Sequence, residues 1–318
     1  MVQQIKNYWK HLRIKAGLRK EKEAGFEYER VLVRTKKNGL PVVRLLGSHS
    51  NFHCGCAAVM KSLRRAAEDR GWRLATFIEP YDAVVVNGEG SMHHSREHFH
   101  KKMGILQRAV EAGVPAYLIN TVWQDNSSEY NAVLKQLAGI QVREKLSQRE
   151  LLEKHGVDSN VCIDASFFYG PTVGPQDEFQ RSGVAYTDFR CPDTDVFLRN
   201  DELLPHADYV SLKAQNWEET IRKLSEYEYV VTGQHHAVYA ACKARTPFIA
   251  SEGNSHKIKG LIESADAEIP TATSFREFKD LLENIEKYRS EYEKLFDWMA
   301  RQSSDNLFPE AKKTMSSN

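Results

Sequence analysis

Ala83-Val84-Val85-Val86-Asn87-Gly88-Glu89-Gly90-Ser91 is an apolar run that ends directly in a glycine-flanked acid. The three consecutive valines show no alternation with polar residues. That pattern suits a strand covered on both faces, as strands of parallel sheets are when helices pack on either side. Working outward, short apolar runs alternate with helical periods. Pro41–Gly47 reads as a first strand and 55–70 as its helix, and 72–78 is strand-like. A helix over 97–112 is closed by Gly113 and Pro115. Strands follow at 116–120, 140–143 and 161–163, separated by helices near 127–138 and 147–155.

Residues 171–182, with Gly174 and Pro175, read as a linker between a domain at 41–170 and a second at 183–272. The second alternates strands at 184–187, 209–212, 229–231 and 247–250 with helices near 194–203, 216–226, 236–244 and 256–265. One long helical period over 274–299 and a tail complete 273–318. The fold class expected is α/β, with two Rossmann-like parallel-sheet domains.

A chain of 318 residues is comfortable for two such domains. Five cysteines, odd in number and scattered, read as reduced thiols, and no secretory signal is expected, so the compartment expected is cytoplasmic. The net charge of +1 hides a local excess, because residues 1–20 carry six lysines and arginines and no acid. The remainder is slightly acidic, which argues against a nucleic-acid partner. Val2, Ile5, Trp9, Leu12 and Ala16 form one apolar stripe in segment 1–40. That basic amphipathic helix either lies on the inner face of an anionic membrane or docks on the protein body.

Ligands of open parallel sheets bind beyond the carboxyl ends of the strands, so the loops that follow strands are the candidate site. Gly88 and Gly90 let the backbone approach a ligand, and Glu89 between them is placed as a general base, or else as a solvated turn residue. The third glycine and downstream acid of a dinucleotide fingerprint are not in place. His93 and His94 are candidates for substrate contacts. His94 and His98 have the i, i+4 spacing of a metal pair, with surface histidines as the simpler reading. Asn51 or Ser50 caps the first helix, or with His53 holds an acceptor or anion. Thr232-Gly233-Gln234-His235-His236 opens a helix, where an imidazole suits phosphate or carboxylate binding and proton transfer. Adjacent rings point in different directions, so at most one of His235 and His236 is expected to face the ligand. Ser255, His256 and Lys257 bring a hydroxyl, an imidazole and an ammonium to the next loop, which favours an anion pocket.

Four segments in this order and spacing resemble the polysaccharide pyruvyl transferase family. They are Gly47–Asn51; Val84–Gly90; Val142–Ser147 with Asp164–Phe167; and Val230–Ala237 continuing to Thr246–Phe248 and Ser255–Lys257. The resemblance implies a GT-B-like fold, two domains facing a cleft, the first handling the acceptor and the second the donor, with no obligatory metal or other cofactor. It implies transfer of the pyruvyl carbons of phosphoenolpyruvate to a surface glycan or lipid-linked glycan as a ketal. By position it makes His236 an acid or anion ligand, Lys257 and Ser255 donor-facing, Arg143 the arginine of the interdomain-side strand or else a structural residue, and Glu89 the base, with Ser91 in the same turn. Many members carry an arginine where this chain has Gln234, which cannot give a bidentate, permanently charged grip. Either Arg143, Lys257 or Arg190 supplies the charge, or the donor differs. A nucleotide-sugar glycosyltransferase and a non-catalytic glycan-binding protein are the alternative readings.

Overall fold

A computed structural model describes residues 31–310 apart from 36–38, 48–51, 77–78, 175–180, 190–203 and 205. The expected helix in segment 1–40, the expected helix at 194–203, Asn51 and Arg190 lie outside the described residues. Among the described residues, no helix is long and apolar enough to cross a membrane.

The first sheet contains β1 (Val42–Leu46), β2 (Arg73–Leu74), β3 (Ala83–Glu89), β4 (Ala116–Thr121), β5 (Gly139–Val142) and β6 (Asn160–Val161). Its strands are parallel throughout and lie in the order β2-β1-β3-β4-β5-β6. Val84, Val85 and Val86 are completely buried, because their alternate side chains enter cores on opposite faces of the sheet. Around it run α1 (Cys54–Asp69), α2 (Glu97–Glu111), α3 (Asn131–Gln136) and α4 (Lys145–His155). Gly156 ends α4 in the left-handed region at φ 61°, a cap that glycine adopts without strain.

The second sheet holds β7 (Val184–Phe189), β8 (Asp208–Val210), β9 (Tyr229–Gly233) and β10 (Phe248–Ala250), also parallel, in the order β10-β9-β7-β8. It is accompanied by α5 (Trp217–Leu224), α6 (His235–Lys243) and α7 (Lys257–Ser264). Both sheets wind alike, with the first strand flanked by the second and third. Each therefore has a crevice where the winding reverses, between β1 and β3 and between β7 and β9, the place such sheets use for ligands.

The expected single helix over 274–299 is instead two, α8 (Phe275–Asn284) and α9 (Arg289–Ala300), joined by a 3-10 turn at Ile285–Tyr288. The apolar period runs through all three, so it does not register the change of direction. After α9 the chain crosses back to the first sheet. Leu307 and Phe308 are buried among Val43, Val59, Leu63 and Val85, and Arg70 donates to the carbonyl of Phe308 at 2.7 Å.

The two sheets are joined through α1, α4, α6 and α7. The N–H of Cys54 donates to the Leu212 carbonyl at 2.9 Å, which ties the start of α1 to the second domain. On the other flank, the Lys145 N–H donates to Ser264 Oγ at 2.9 Å, and Arg149 pairs with Glu263 at 2.7 Å.

Candidate functional site

The carboxyl ends of the first sheet are held by a buried amide network. Asn87 Nδ2 donates to the Gly47 carbonyl at 3.1 Å, and Asn120 Nδ2 donates to Asn87 Oδ1 at 3.0 Å. Asn120 Oδ1 accepts from the Ala165 N–H at 3.0 Å, and its backbone carbonyl accepts from Arg143 Nε at 2.9 Å. Each group is satisfied by its neighbour, so the ends of β1, β3, β4 and β5 are locked in mutual position before any ligand arrives.

Glu89 projects from that platform. It is 5% exposed and has φ 49°, the left-handed region where a non-glycine residue is strained, a feature that collects at functional sites. Beneath it, Lys102 of α2 donates to the Gly88 carbonyl at 2.6 Å and to Ser91 Oγ at 2.8 Å. Burial lowers the Lys102 ammonium to about 7, against the pull of the Glu89 carboxylate. Lys102 was not expected at the site. The signal was present, because Phe99, Lys102, Met103 and Leu106 share one helical stripe and a lysine there occupies a core position.

Across the cleft, α6 begins with His235 and His236. Both histidines line the pocket and both lie within ion-pair reach of Asp164, at 3.8 Å and 3.6 Å, which corrects the expectation that one of them turns away. Asp164, after the last strand of the first sheet, sits beneath both rings. It is completely buried and pairs with Arg143 Nη1 at 2.9 Å. Burial alone would raise its carboxyl. The charge of Arg143, then the nearby His236 and His235 rings, overcome burial and hold it well below the ordinary carboxylate range.

Burial pushes His235 down to about 3, with Arg143 and His236 adding to the effect and Asp164 opposing it. The imidazole is therefore neutral at all physiological pH values. Its unfolded form gains a proton near pH 6.5 while the folded form gains one only near 3. The His235 contribution to stability is therefore constant above 6.5 and falls by about 1.4 kcal/mol per pH unit on acidification towards 3. NMR titration should show the His235 ring unprotonated at pH 5, and a normal titration would contradict this placement.

The pocket between the sheets has a volume of about 280 Å³. Of the residues expected from sequence, it is lined by His53, Glu89, Gly90, Ser91, His93, Arg143, Gln234, His235, His236 and Lys257. Gly88 is close by, packed on Thr121 with its carbonyl turned to Lys102. Ser255 and His256 do not line it. His256 Nε2 instead faces Glu144 at 3.4 Å and Ser147 at 3.3 Å, in the seam between the domains. The helix cap expected at Ser50 or Asn51 is supplied by His53, whose Nδ1 accepts from the Cys56 N–H at 3.4 Å. His94 precedes α2 in a turn at φ 56°, so it shares no helix face with His98.

Three cations line this space, Arg96, Arg143 and Lys257. The Lys257 ammonium is held by Asn254 Oδ1 at 2.7 Å and lies beside Gly90, 3.6 Å from where a Cβ would stand. Arg143 is 1% exposed, and its Nη2 has no hydrogen-bond partner although Nε and Nη1 are engaged. Cys56, one of the cysteines expected to be a reduced thiol, also lines the pocket. Burial, then Glu89, raise its thiol well above the ordinary range. His53, Cys56 and His236 bring their donor atoms within 4.8 Å of one another.

No curated protein matches this sequence. Solved structures share the architecture. The S. aureus MnaA-UDP co-structure superposes with a TM-score of 0.52 at 10% identity, covering 85% of this chain and 92% of that one. A putative UDP-N-acetylglucosamine 2-epimerase from Listeria monocytogenes gives 0.51 at 9% identity, covering 86% and 93%. At such identities the likeness establishes the fold alone, two Rossmann-like domains of GT-B type. The profile of the family described as polysaccharide pyruvyl transferase matches residues 3–255. The chain thus belongs to the polysaccharide pyruvyl transferase family and is a transferase of glycan biosynthesis.

Proposed function

We propose that this protein transfers a pyruvyl group from phosphoenolpyruvate to two hydroxyls of a glycan, with the first domain holding the acceptor and the second, joined by Arg143 of the first, holding the donor. The observation that carries the reading is the unpartnered, buried Nη2 of Arg143, in a pocket that also holds the Lys257 ammonium. A phosphate and a carboxylate on one small donor are the groups such cations bind. Gln234 lines the same wall without charge, so Arg143 and Lys257 replace the arginine that many family members carry there.

The chemistry divides between the two sides. His236, in its protonated form, delivers a proton to the methylene carbon of the donor, leaving the adjacent carbon electron-poor. An acceptor hydroxyl attacks that carbon and yields its proton to Glu89. Phosphate then departs with its bridging oxygen, and the second hydroxyl closes the ketal. Two hydroxyl protons are lost, while the new methyl group and the released phosphate gain one each, so the step balances. Lys257 and Arg143 hold charge that already exists on the donor and increases on the phosphate as it leaves.

The uncharged Gln234 favours a second reading, transfer from a nucleotide sugar. The MnaA co-structure that shares the fold contains UDP. Thermal unfolding in the presence of phosphoenolpyruvate or a panel of UDP-sugars separates the two. A donor present at 100 times its dissociation constant adds about 2.7 kcal/mol, a rise of several degrees in Tm. We expect that rise with phosphoenolpyruvate, and phosphate release once an acceptor oligosaccharide is added. Stabilisation by nucleotides alone would exclude pyruvyl transfer, and no response to either donor would favour a glycan-binding role.

A further inference from the structure

We propose that His53, Cys56 and His236 form a site for a thiophilic divalent cation, with zinc as the ion its donors suit best. Two imidazoles and one thiolate are a borderline-soft set of the kind zinc accepts. His53 caps α1 and Cys56 lies three residues on, so the cap folds back over the first turn and brings the two side chains together. Their donor atoms, His53 Nε2 and Cys56 Sγ, are 3.5 Å apart. A tetrahedral zinc with bonds of about 2.3 Å to sulfur and about 2.0 Å to nitrogen sets those atoms about 3.5 Å apart.

The third donor comes from the other domain, and the fold makes room for it. A Cβ at Gly55 would lie 2.6 Å from Cβ and Cγ of His236, so α1 and α6 approach this closely only because residue 55 is glycine. The rings of His53 and His236 meet edge to face at 4.8 Å. Behind His236 stands the Asp164 carboxylate, 3.6 Å from Nε2, the kind of acidic partner that orients histidine ligands. All three candidate ligands line the pocket, which leaves a fourth position open to water or an anion.

Binding replaces the Cys56 S–H bond by a sulfur–metal bond and releases that proton to the solvent. Coordination through Nε2 places the His53 proton on Nδ1, which ends its weak cap bond to Cys56. The bound ion joins α1 to α6 across the cleft. On the reading of His236 as proton donor, it also removes that imidazole from catalysis, so zinc would act as an inhibitor rather than a cofactor.

The test uses the full chain, freed of metal by a chelator and titrated with cobalt(II) in the absence of any donor. One equivalent should bind with a thiolate-to-cobalt charge-transfer band in the near ultraviolet, and zinc should displace it. Cys56→Ser should abolish the band, and His53→Gln should weaken binding by about tenfold or more. Circular dichroism of the metal-free variants checks folding, and if Cys56→Ser does not fold, His53→Gln decides the matter. A cobalt spectrum without thiolate character overturns the site, as does a band that survives Cys56→Ser or an affinity unchanged in His53→Gln. Because no donor is present, failure of pyruvyl transfer would leave this result standing.

Discussion

Asp164→Ala should lower the stability of the chain by about 3–5 kcal/mol at neutral pH, the usual cost of removing one partner from a buried ion pair. The size follows from what remains. Arg143 is 1% exposed at the floor of the pocket, so its guanidinium would keep only the Asn120 carbonyl and stay almost wholly buried without a counter-charge. His235 and His236 lose the acid beneath them in the same step. The sign with pH is fixed by the depressed carboxyl of Asp164. Its contribution is fully present above the unfolded value near 3.9 and is lost only as pH falls through the lower folded value. Urea unfolding at pH 7 measures the cost, and a loss below about 1 kcal/mol would mean that water reaches Arg143. Asp164→Asn, which keeps the shape, should fall between the variant and the parent.

Glu89→Gln should cut the transfer rate by about 10²–10⁴-fold, the range that a positioned general base contributes, with folding retained. Glutamine is isosteric and meets the same backbone at φ 49°, so the strain is unchanged while proton acceptance is lost. The change also reaches Lys102, because the Glu89 carboxylate is what opposes the effect of burial on that ammonium. Removing it should take Lys102 below about 7, so the pH profile of any residual activity should move as well as shrink. Initial rates across pH, with circular dichroism as the folding control, decide the point. A loss of less than tenfold would remove Glu89 from proton transfer.

The alternation of apolar runs and helical periods led directly to the two parallel sheets, because burial on both faces leaves the plain pattern seen at Val84–Val86. The rule that ligands bind beyond strand ends also led to most of the pocket lining. What escaped the sequence depends on contacts between distant elements. Asp164 reads as a loop acid until the start of α6 is set against it. Cys56 reads as one more scattered reduced thiol until His236 arrives from 180 residues further on. Lys102 was visible as a charge in an apolar stripe, a local conflict whose resolution lay in the Gly88 carbonyl. His256 was misplaced because a residue just before a helix turns either into the crevice or along the seam, and Glu144 decides which.

The return of the chain to the first sheet after α9 has a mechanical consequence. The peptide passes between the two lobes once near residue 170 and again near residue 303, where Leu307 and Phe308 anchor it in the first core. A lobe on a single strap can swivel and twist freely. A lobe on two straps is restricted to rocking about the line that joins them, like a door on a pair of hinges. Any relative movement of the walls carrying Glu89 and His236 would therefore be confined to one arc, and it would have to break the bonds of Cys54 to Leu212 and of Lys145 to Ser264 that also bridge the lobes.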